Sequence, residues 1–294
     1  MSARPVFKLT ADDLVERCRQ AGFEAIAEEI RALIRPAINL RQEVRADDEI
    51  GVGRSKIGGR ADLQPGVDWP MTDDGFPMSF LAQINLAHAA RYDVNKELPP
   101  SGLLSFFFDT QRMPWGFDPS DRGKWVVLYQ PDVTHLAHAC FPESLPSDCR
   151  FGAAAVGFRR LVNLPNARQI EMERFKLSQE QLRTYIWMEL DTRPGLDVES
   201  AQLLGNPSII QCEMQRECQM ASNGVYYGDR KTLTDPRVHE LEPGAAQWRL
   251  LFQLPSQEDH GMYWGGVGYL YFMIRDADLT QWDLRNVWLV LQGT

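Results

Sequence analysis

The sequence predicts an α+β protein, rich in antiparallel β-structure, that begins with a helical hairpin. Three observations support this fold class. Helical spacing of apolar residues is confined to the first 36 residues and to one later segment, short apolar runs bounded by turn residues fill most of the remainder, and two stretches share one order of motifs. The 294 residues are enough for about two domains, or for one large β-rich unit.

The N-terminal segment has the start and stop signals of two helices. Thr10 is placed to cap the first helix, with Asp13 at the third helical position, and Gly22 supplies a C-terminal cap. A second helix is predicted from about Glu24 until Pro36, which cannot continue it. Residues 41–53 are charged and glycine-bearing and are predicted as a loop. We therefore expect residues 1–50 to form a helical hairpin and linker.

The rest of the chain reads mainly as strands. Asp73-Asp74-Gly75 is a typical hairpin turn, and Ser178, with Gln181 three positions on, predicts the start of a helix over 178–191. Residues 209–221 fit both a helix and a strand. The clearest predicted strands are 103–108, 125–129, 248–254, 268–274 and 287–292.

A repeated order of motifs divides the β-rich region. Residues 80–84 and then 102–107 have counterparts in residues 250–254 and then 268–273. Each set follows a glycine-centred turn, at 58–63 and at 204–209. This order predicts one domain over 51–294 made of two similar halves, 51–175 and 200–294, joined by the helix at 178–191.

Three glutamines stand in apolar runs: Gln83, Gln253 and Gln292. A buried amide costs about 1–3 kcal/mol unless it is hydrogen-bonded. Each glutamine therefore either ties its strand to a neighbouring loop or lines a polar cleft between the halves.

Two glycine-rich loops are candidates for ligand binding. In residues 51–60, Arg54 and Lys56 flank Ser55 among backbone N–H groups that could hold an anion; the alternative is a tight turn with solvated cations. Residues 258–268 carry His260 and Trp264 on a second loop. The full set predicted to bind ligand is Arg54, Ser55, Lys56, Trp69, Gln83, Gln253, His260 and Trp264.

Cysteine usage and charge limit the classes of function. Five cysteines without a secretory signal predict reduced thiols and a cytoplasmic protein. The spacing of His135, His138, Cys140 and Cys149 does not match a zinc site, so no metal is predicted, and no cofactor motif is present. A net charge of −9 disfavours nucleic acid and anionic membranes as partners.

Several motifs resemble those of the YwqG-like family. They include Ser55–Gly59, Asp68-Trp69-Pro70, Pro77–Leu86 and Trp248–Leu254, and they continue in order to Gln292. The resemblance implies a mixed, β-rich fold and no assigned activity. The chain differs from the family pattern at Ala61 and at Gly266, where the family often has a proline and an acid.

No nucleophile–base pattern stands out, so the sequence favours a non-catalytic protein that binds a small anionic ligand or a protein partner. Two alternatives stay open. One is a hydrolase with His260 as acid–base, although the adjacent Asp259 would point to the opposite face of an extended chain. The other is a protein-neutralising, immunity-like partner whose acidic surface meets a basic target.

Overall fold

Strands make up most of the regular structure in a computed structural model that describes residues 9–167, 175–192, 201–229 and 234–294. The helices in the described residues are α1 Ala11–Gln20, α2 Ala27–Leu33, α3 Leu86–Ala89, α4 Gln179–Thr192, α5 Gln215–Ser222, α6 Arg237–Leu241 and α7 Asp276–Gln281. The strands are β1 Arg35–Val44, β2 Lys56–Ile57, β3 Asp62–Leu63, β4 Ser79–Asn85, β5 Leu103–Phe108, β6 Trp125–Gln130, β7 Ala137–His138, β8 Ala154–Asn163, β9 Ala201–Leu204, β10 Trp248–Pro255, β11 Tyr269–Arg275 and β12 Trp288–Gln292.

Ten of these strands form one antiparallel sheet in the order β12-β11-β10-β9-β1-β8-β2-β4-β5-β6. The long strands β1 and β8 lie at its centre. We call β2, β4, β5 and β6 the N-terminal strand group, and β9, β10, β11 and β12 the C-terminal strand group. Strands β3 and β7 form a separate antiparallel pair.

The sheet curls so that its two edge strands approach each other. The rings of Trp125 in β6 and Trp288 in β12 are 5.0 Å apart, and Nε1 of Trp125 donates to the Val287 carbonyl over 2.9 Å. Inside the curl, Phe106 stacks on Phe252 with 4.3 Å between ring centroids. The concave face therefore encloses the main hydrophobic core, and the contacts between β6 and β12 cover edges that would otherwise be exposed.

The predicted strands 103–108, 125–129, 248–254, 268–274 and 287–292 are confirmed within a residue or two, as is the helix at 178–191. The loop prediction for 41–53 is wrong at its start, because residues 41–44 belong to β1. Charge misled that prediction: the far end of β1 is solvent-exposed, whereas its middle is buried. In the ambiguous segment 209–221, the part from Gln215 onward is helical.

The N-terminal helices pack against α4 in a second, smaller core. The hydroxyl and backbone amide of Thr10 pair with Asp13 in a capping box that starts α1. Tyr185 of α4 is fully buried against Phe23, 5.7 Å away between ring centroids. In the part of the chain that the structure describes, no helix combines the length and the apolar character that a membrane crossing requires.

Candidate functional site

A buried network of charges surrounds Lys56 in β2. The ammonium group has no solvent exposure and lies 2.9 Å from Asp47 Oδ1 and 3.4 Å from Asp62 Oδ1. Arg60 also pairs with Asp47, through Nε at 2.8 Å. Lys56 is therefore not the solvated cation that a simple surface turn would carry. A buried ion pair of this kind is tolerated only when both charges are fully partnered.

Asp62 is the hub of this network. Its Oδ1 lies 2.6 Å from Nδ1 of His138, and its Oδ2 accepts from the Gly53 amide at 2.7 Å. The side chain of Gln83 donates to the same Oδ2 at 2.6 Å and accepts from the Asp62 amide at 2.9 Å. The pairing of β3 with β7 brings His138 to this position, since Asp62 and His138 face each other in register. The imidazole keeps about a fifth of its surface exposed.

Burial and neighbouring cations have opposite effects on the pKa of the Asp47 carboxyl. Burial raises its pKa, but hydrogen bonds from Arg60 and Lys56 and the charge of Lys56 outweigh burial, so the pKa lies below its ordinary value of 3.8. The carboxylate form is therefore favoured at neutral pH, as the Lys56 ion pair requires.

The turn before Lys56 is fastened to the end of β4. The side-chain amide of Gln83 donates to the Arg54 carbonyl at 2.8 Å, and the side-chain amide of Asn85 donates to the Gly53 carbonyl at 2.7 Å. The Ser55 hydroxyl accepts from the Asn85 backbone at 2.9 Å. Ser55 and Gln83 are thus buried structural partners, and they hold the Arg54 side chain at the surface beside α3.

Arg54 is part of a basic patch, which we define as Arg54, His88, Arg91 and Arg160. The three arginines are exposed, and Arg160 donates to the Arg91 carbonyl at 2.9 Å. Burial, together with the charges of Arg54 and Arg91, lowers the pKa of His88 below 6.5. Among the described residues, no carboxylate forms an ion pair with any of these three guanidinium groups.

Two aromatic residues, Tyr92 and Phe158, are close in sequence to residues of this patch. Their ring centroids are 6.0 Å apart, and each residue is partly exposed. Tyr92 follows Arg91, and Phe158 is two positions before Arg160 on β8, so both 158 and 160 point to the same side of the sheet. Both rings pack against the main hydrophobic core.

In the second predicted loop, the two candidate ligand-binding side chains are buried. His260 is 8% exposed and Trp264 is 1% exposed. Neither His260 Nδ1 nor Trp264 Nε1 has a hydrogen-bond partner among the described residues, and the same holds for both side-chain amide atoms of Gln257. Burial lowers the pKa of His260 below 6.5, against a smaller opposing influence of Asp259.

The two predicted loops are linked through residues 151–152. The Gly59 amide donates to the Phe151 carbonyl at 3.0 Å, and the Gly152 amide donates to the His260 carbonyl at 2.9 Å. A Cβ on Gly58 would lie 2.0 Å from the Gly152 carbonyl oxygen, so this close approach requires glycine at 58, where φ is +65°. The loops thus share one scaffold, although the buried side chains of Lys56 and Trp264 do not form a common open surface.

Trp69 and Gln253 lie apart from the Lys56 network. Trp69 donates from Nε1 to the Met78 carbonyl at 2.8 Å and packs against Phe107. Gln253, in β10, accepts from the Ser208 amide at 2.9 Å. Of the two roles considered for the glutamines, the structure shows the first: each ties its strand to a loop. Gln292 does so by accepting from the backbone amides of residues 210 and 211.

Sequence reasoning missed Asp62 and His138 as site residues, and Arg91 and Arg160 as neighbours of Arg54. The available signal for Asp62 was its place just after the Gly58-Gly59 turn. His138 was weighed only as a metal ligand, whereas its partner is a carboxylate 76 positions away. No spacing rule links such distant positions.

The family model described as Domain of unknown function (DUF1963) matches residues 55–293. The chain belongs to this family. The DUF1963 match contains Lys56, Asp62, Gln83 and His138, while Arg54 lies immediately before it and α1, α2 and β1 precede it. No curated protein matches the sequence. Among the described residues, no group of three or more histidine, cysteine or acidic side chains is arranged to hold a metal ion.

Proposed function

We propose that this DUF1963 member is a non-catalytic binding protein that recognises an anionic group at the basic patch. The observation that carries this proposal is that Arg54, Arg91 and Arg160 share a surface with no carboxylate partner among the described residues, in a chain whose net charge is −9. Unpaired guanidinium groups suit carboxylate or phosphate, which they contact through two parallel hydrogen bonds.

The buried network supports this role as a scaffold. Lys56 and Asp62 anchor the turn from beneath, and the Gln83 amide fixes the Arg54 carbonyl. A cation whose backbone is held in this way loses less conformational freedom when it binds. In this proposal the anion binds at Arg54 together with His88, Arg91 and Arg160. The buried residues Ser55, Lys56 and Gln83 support the site and do not contact the anion.

The test neutralises two arginines that make no ion pair. We expect Arg54→Gln with Arg91→Gln to weaken binding of a polyglutamate peptide and of inorganic phosphate at least tenfold, since a charge-assisted hydrogen bond contributes about 1.5–3 kcal/mol. Isothermal titration of the purified protein measures both probes. Preference for the peptide would indicate a protein partner, and preference for phosphate would indicate a small ligand.

A matched control removes the same charge elsewhere. Arg237 and Arg285 are exposed and already pair with Asp235 and Asp283. The double variant Arg237→Gln with Arg285→Gln should bind both probes as the wild type does, with an unchanged melting temperature. Equal losses in the two double variants would mean that only net charge matters and would contradict the proposal, as would the absence of binding of either probe to the wild type.

A hydrolase is the second candidate, and one observation favours it. The 2.6 Å contact between Asp62 and Nδ1 of His138 orients the imidazole as in a general base, with Nε2 left for a water molecule. His138 thus suits the acid–base role better than the deeply buried His260. Turnover of generic ester or phosphate substrates that disappears in His138→Gln would favour the hydrolase over the binding protein.

We also infer that the two strand groups are related by duplication. Residues 58 and 204 have φ of +65° and +56°, and residues 59 and 205 have φ of +73° and +76°. Strands β4 and β10 each shift register two positions before their glutamine. A common origin accounts for these matches. We also propose that the chain is YwqG-like and that it is a cytoplasmic protein.

A further inference from the structure

A pocket of about 410 Å³ lies at the C-terminal strand group, and no residue of the basic patch lines it. Its walls come from the start of β1, the turn after β9, α5, the turn before β10 and β10 itself. Pockets of this size take ligands of small-metabolite dimensions. The turn after β9 is the counterpart of the turn that carries the charged network in the N-terminal strand group.

Arg35, the first residue of β1, supplies an unpaired cation to this pocket. It lines the cavity and is only partly exposed, and it has no ion pair or side-chain hydrogen bond among the described residues. The other two arginines of the lining are already engaged. Arg216 pairs with Glu242 at 2.8 Å, and Arg249 pairs with Glu97 and Asp276 at 2.5 and 3.3 Å.

Two further polar atoms in the lining have no partner among the described residues. They are Nε of Arg249, a donor, and Oε1 of Gln215, an acceptor, and both are buried. Buried polar atoms are nearly always hydrogen-bonded, so an unpartnered donor and an unpartnered acceptor on residues that line one cavity indicate a ligand with complementary groups. Leu250, Ala245 and Pro207 contribute apolar surface next to them.

We propose that this pocket binds a small monocarboxylate that carries a hydroxyl or amino group. Arg35 and Nε of Arg249 hold the carboxylate, and Oε1 of Gln215 accepts from the ligand's donor. A single negative charge fits because Glu213 and Glu242 also line the pocket and would repel a dianion such as phosphate. This site does not depend on the basic patch, so each proposal can fail separately.

The test uses L-lactate and L-alanine as probes, with propionate as the analogue that lacks the donor. Calorimetry on the full chain should give a Kd of about 1 mM for at least one of the two probes, and about tenfold weaker binding of propionate. Binding of neither probe, or equal binding of propionate, would overturn the proposal. Displacement of a bound probe by inorganic phosphate in the Arg54→Gln with Arg91→Gln variant, whose basic patch is neutralised, would also overturn it.

Two variants locate the site. Arg35→Gln should abolish binding, whereas Arg41→Gln, on the same strand but at its exposed end, should leave it unchanged. Gln215→Met removes the acceptor Oε1, which has no hydrogen bond to lose, and buries no charge, so it should weaken binding of the better probe about tenfold without loss of folding. If Gln215→Met keeps the wild-type affinity, the pocket is not the site, even if Arg35→Gln proves unstable.

Discussion

The two strand groups solve one structural problem with different chemistry. In the N-terminal group, Lys56 of β2 pairs in register with Gln83 of β4. In the C-terminal group, Gln202 of β9 pairs in register with Gln253 of β10. Gln83 accepts from the backbone amide of Asp62, six positions after Lys56, over 2.9 Å. Gln253 accepts from the backbone amide of Ser208, six positions after Gln202, also over 2.9 Å.

The difference between the groups lies in charge. Lys56 and Asp62 in the first correspond to Gln202 and Ser208 in the second, where Gln202 donates to the Leu204 carbonyl at 2.7 Å. Since a neutral arrangement holds a turn with similar φ values at residues 204 and 205, such a turn does not itself require charges. The buried ion pair therefore has another role in the N-terminal group, and stabilising the surface around Arg54 is the role that we propose.

The largest effect is expected from removing the lysine alone. Lys56→Met leaves Asp62 buried without its cation, which should lower the free energy of unfolding by about 3–5 kcal/mol. The double variant Lys56→Gln with Asp62→Ser copies the neutral group and should lose less than the single variants Lys56→Gln and Asp62→Ser lose together, by about 1–3 kcal/mol. Urea denaturation measures all four proteins of the cycle.

A control for that cycle is Lys96→Met, which removes an exposed lysine. It should change the free energy of unfolding by no more than about 0.5 kcal/mol. Strictly additive losses from Lys56 and Asp62 would show that the two charges do not stabilise each other and would remove the contrast between the strand groups.

The second test compares the glutamines. Gln83 makes three hydrogen bonds, one of them to the Asp62 carboxylate, whereas Gln253 makes two, both to Ser208. We expect Gln83→Leu to cost about 3 kcal/mol and Gln253→Leu about 1–2 kcal/mol, because a bond to a charged group is stronger than one between neutral groups. Denaturation midpoints measure both, and a larger loss for Gln253→Leu would contradict the comparison.

Local signals predicted much of this fold. Apolar runs between turn residues correctly predicted β5, β6, β10, β11 and β12. The cap at Ser178 correctly predicted α4, and the Ser178 hydroxyl accepts from the backbone amide of Gln181 at 3.2 Å. Strand β1 was missed, because its first residues were assigned to the end of a helix and its charged, exposed last residues to a loop, whereas strand pairing with β8 runs from Arg35 to Val44. Tertiary pairing there outweighs local composition.

The candidate site was less predictable for the same physical reason. Arg54, Ser55, Lys56 and Gln83 were recognisable from their neighbours in the sequence, but whether each is buried depends on distant segments. The Asp62 carboxylate contacts Lys56, Gln83 and His138, and the contact with His138 depends on the pairing of β3 with β7. Contacts between residues so far apart leave no local pattern, so a lysine that looked solvent-facing is in fact enclosed.

The last expected effect concerns pH and compares two carboxyl groups, one in α5 beside the C-terminal strand group and one that pairs with Lys56 of the N-terminal strand group. Burial, and to a lesser extent the charge of Asp121, raises the pKa of Glu217 in α5 to about 8 from an ordinary value of 4.5. Below pH 4.5 this group is protonated in both the folded and unfolded states and costs nothing. As the pH rises from 4.5 to 8 the unfolded chain releases the proton first, so stability falls, by at most about 1.4 kcal/mol per pH unit.

Asp47 behaves in the opposite way, because its folded pKa lies below 3.8. Its contribution is complete above that value and disappears as the pH falls through the folded pKa. Glu217→Gln should therefore flatten the stability profile between pH 5 and 8 without changing its acid limb, while Asp47→Asn should flatten only the acid limb. Urea midpoints from pH 3 to 9 measure both. An unchanged slope above pH 5 in Glu217→Gln would mean that the carboxyl is already ionised in the folded protein, and α5 would then hold a buried charge beside the C-terminal strand group.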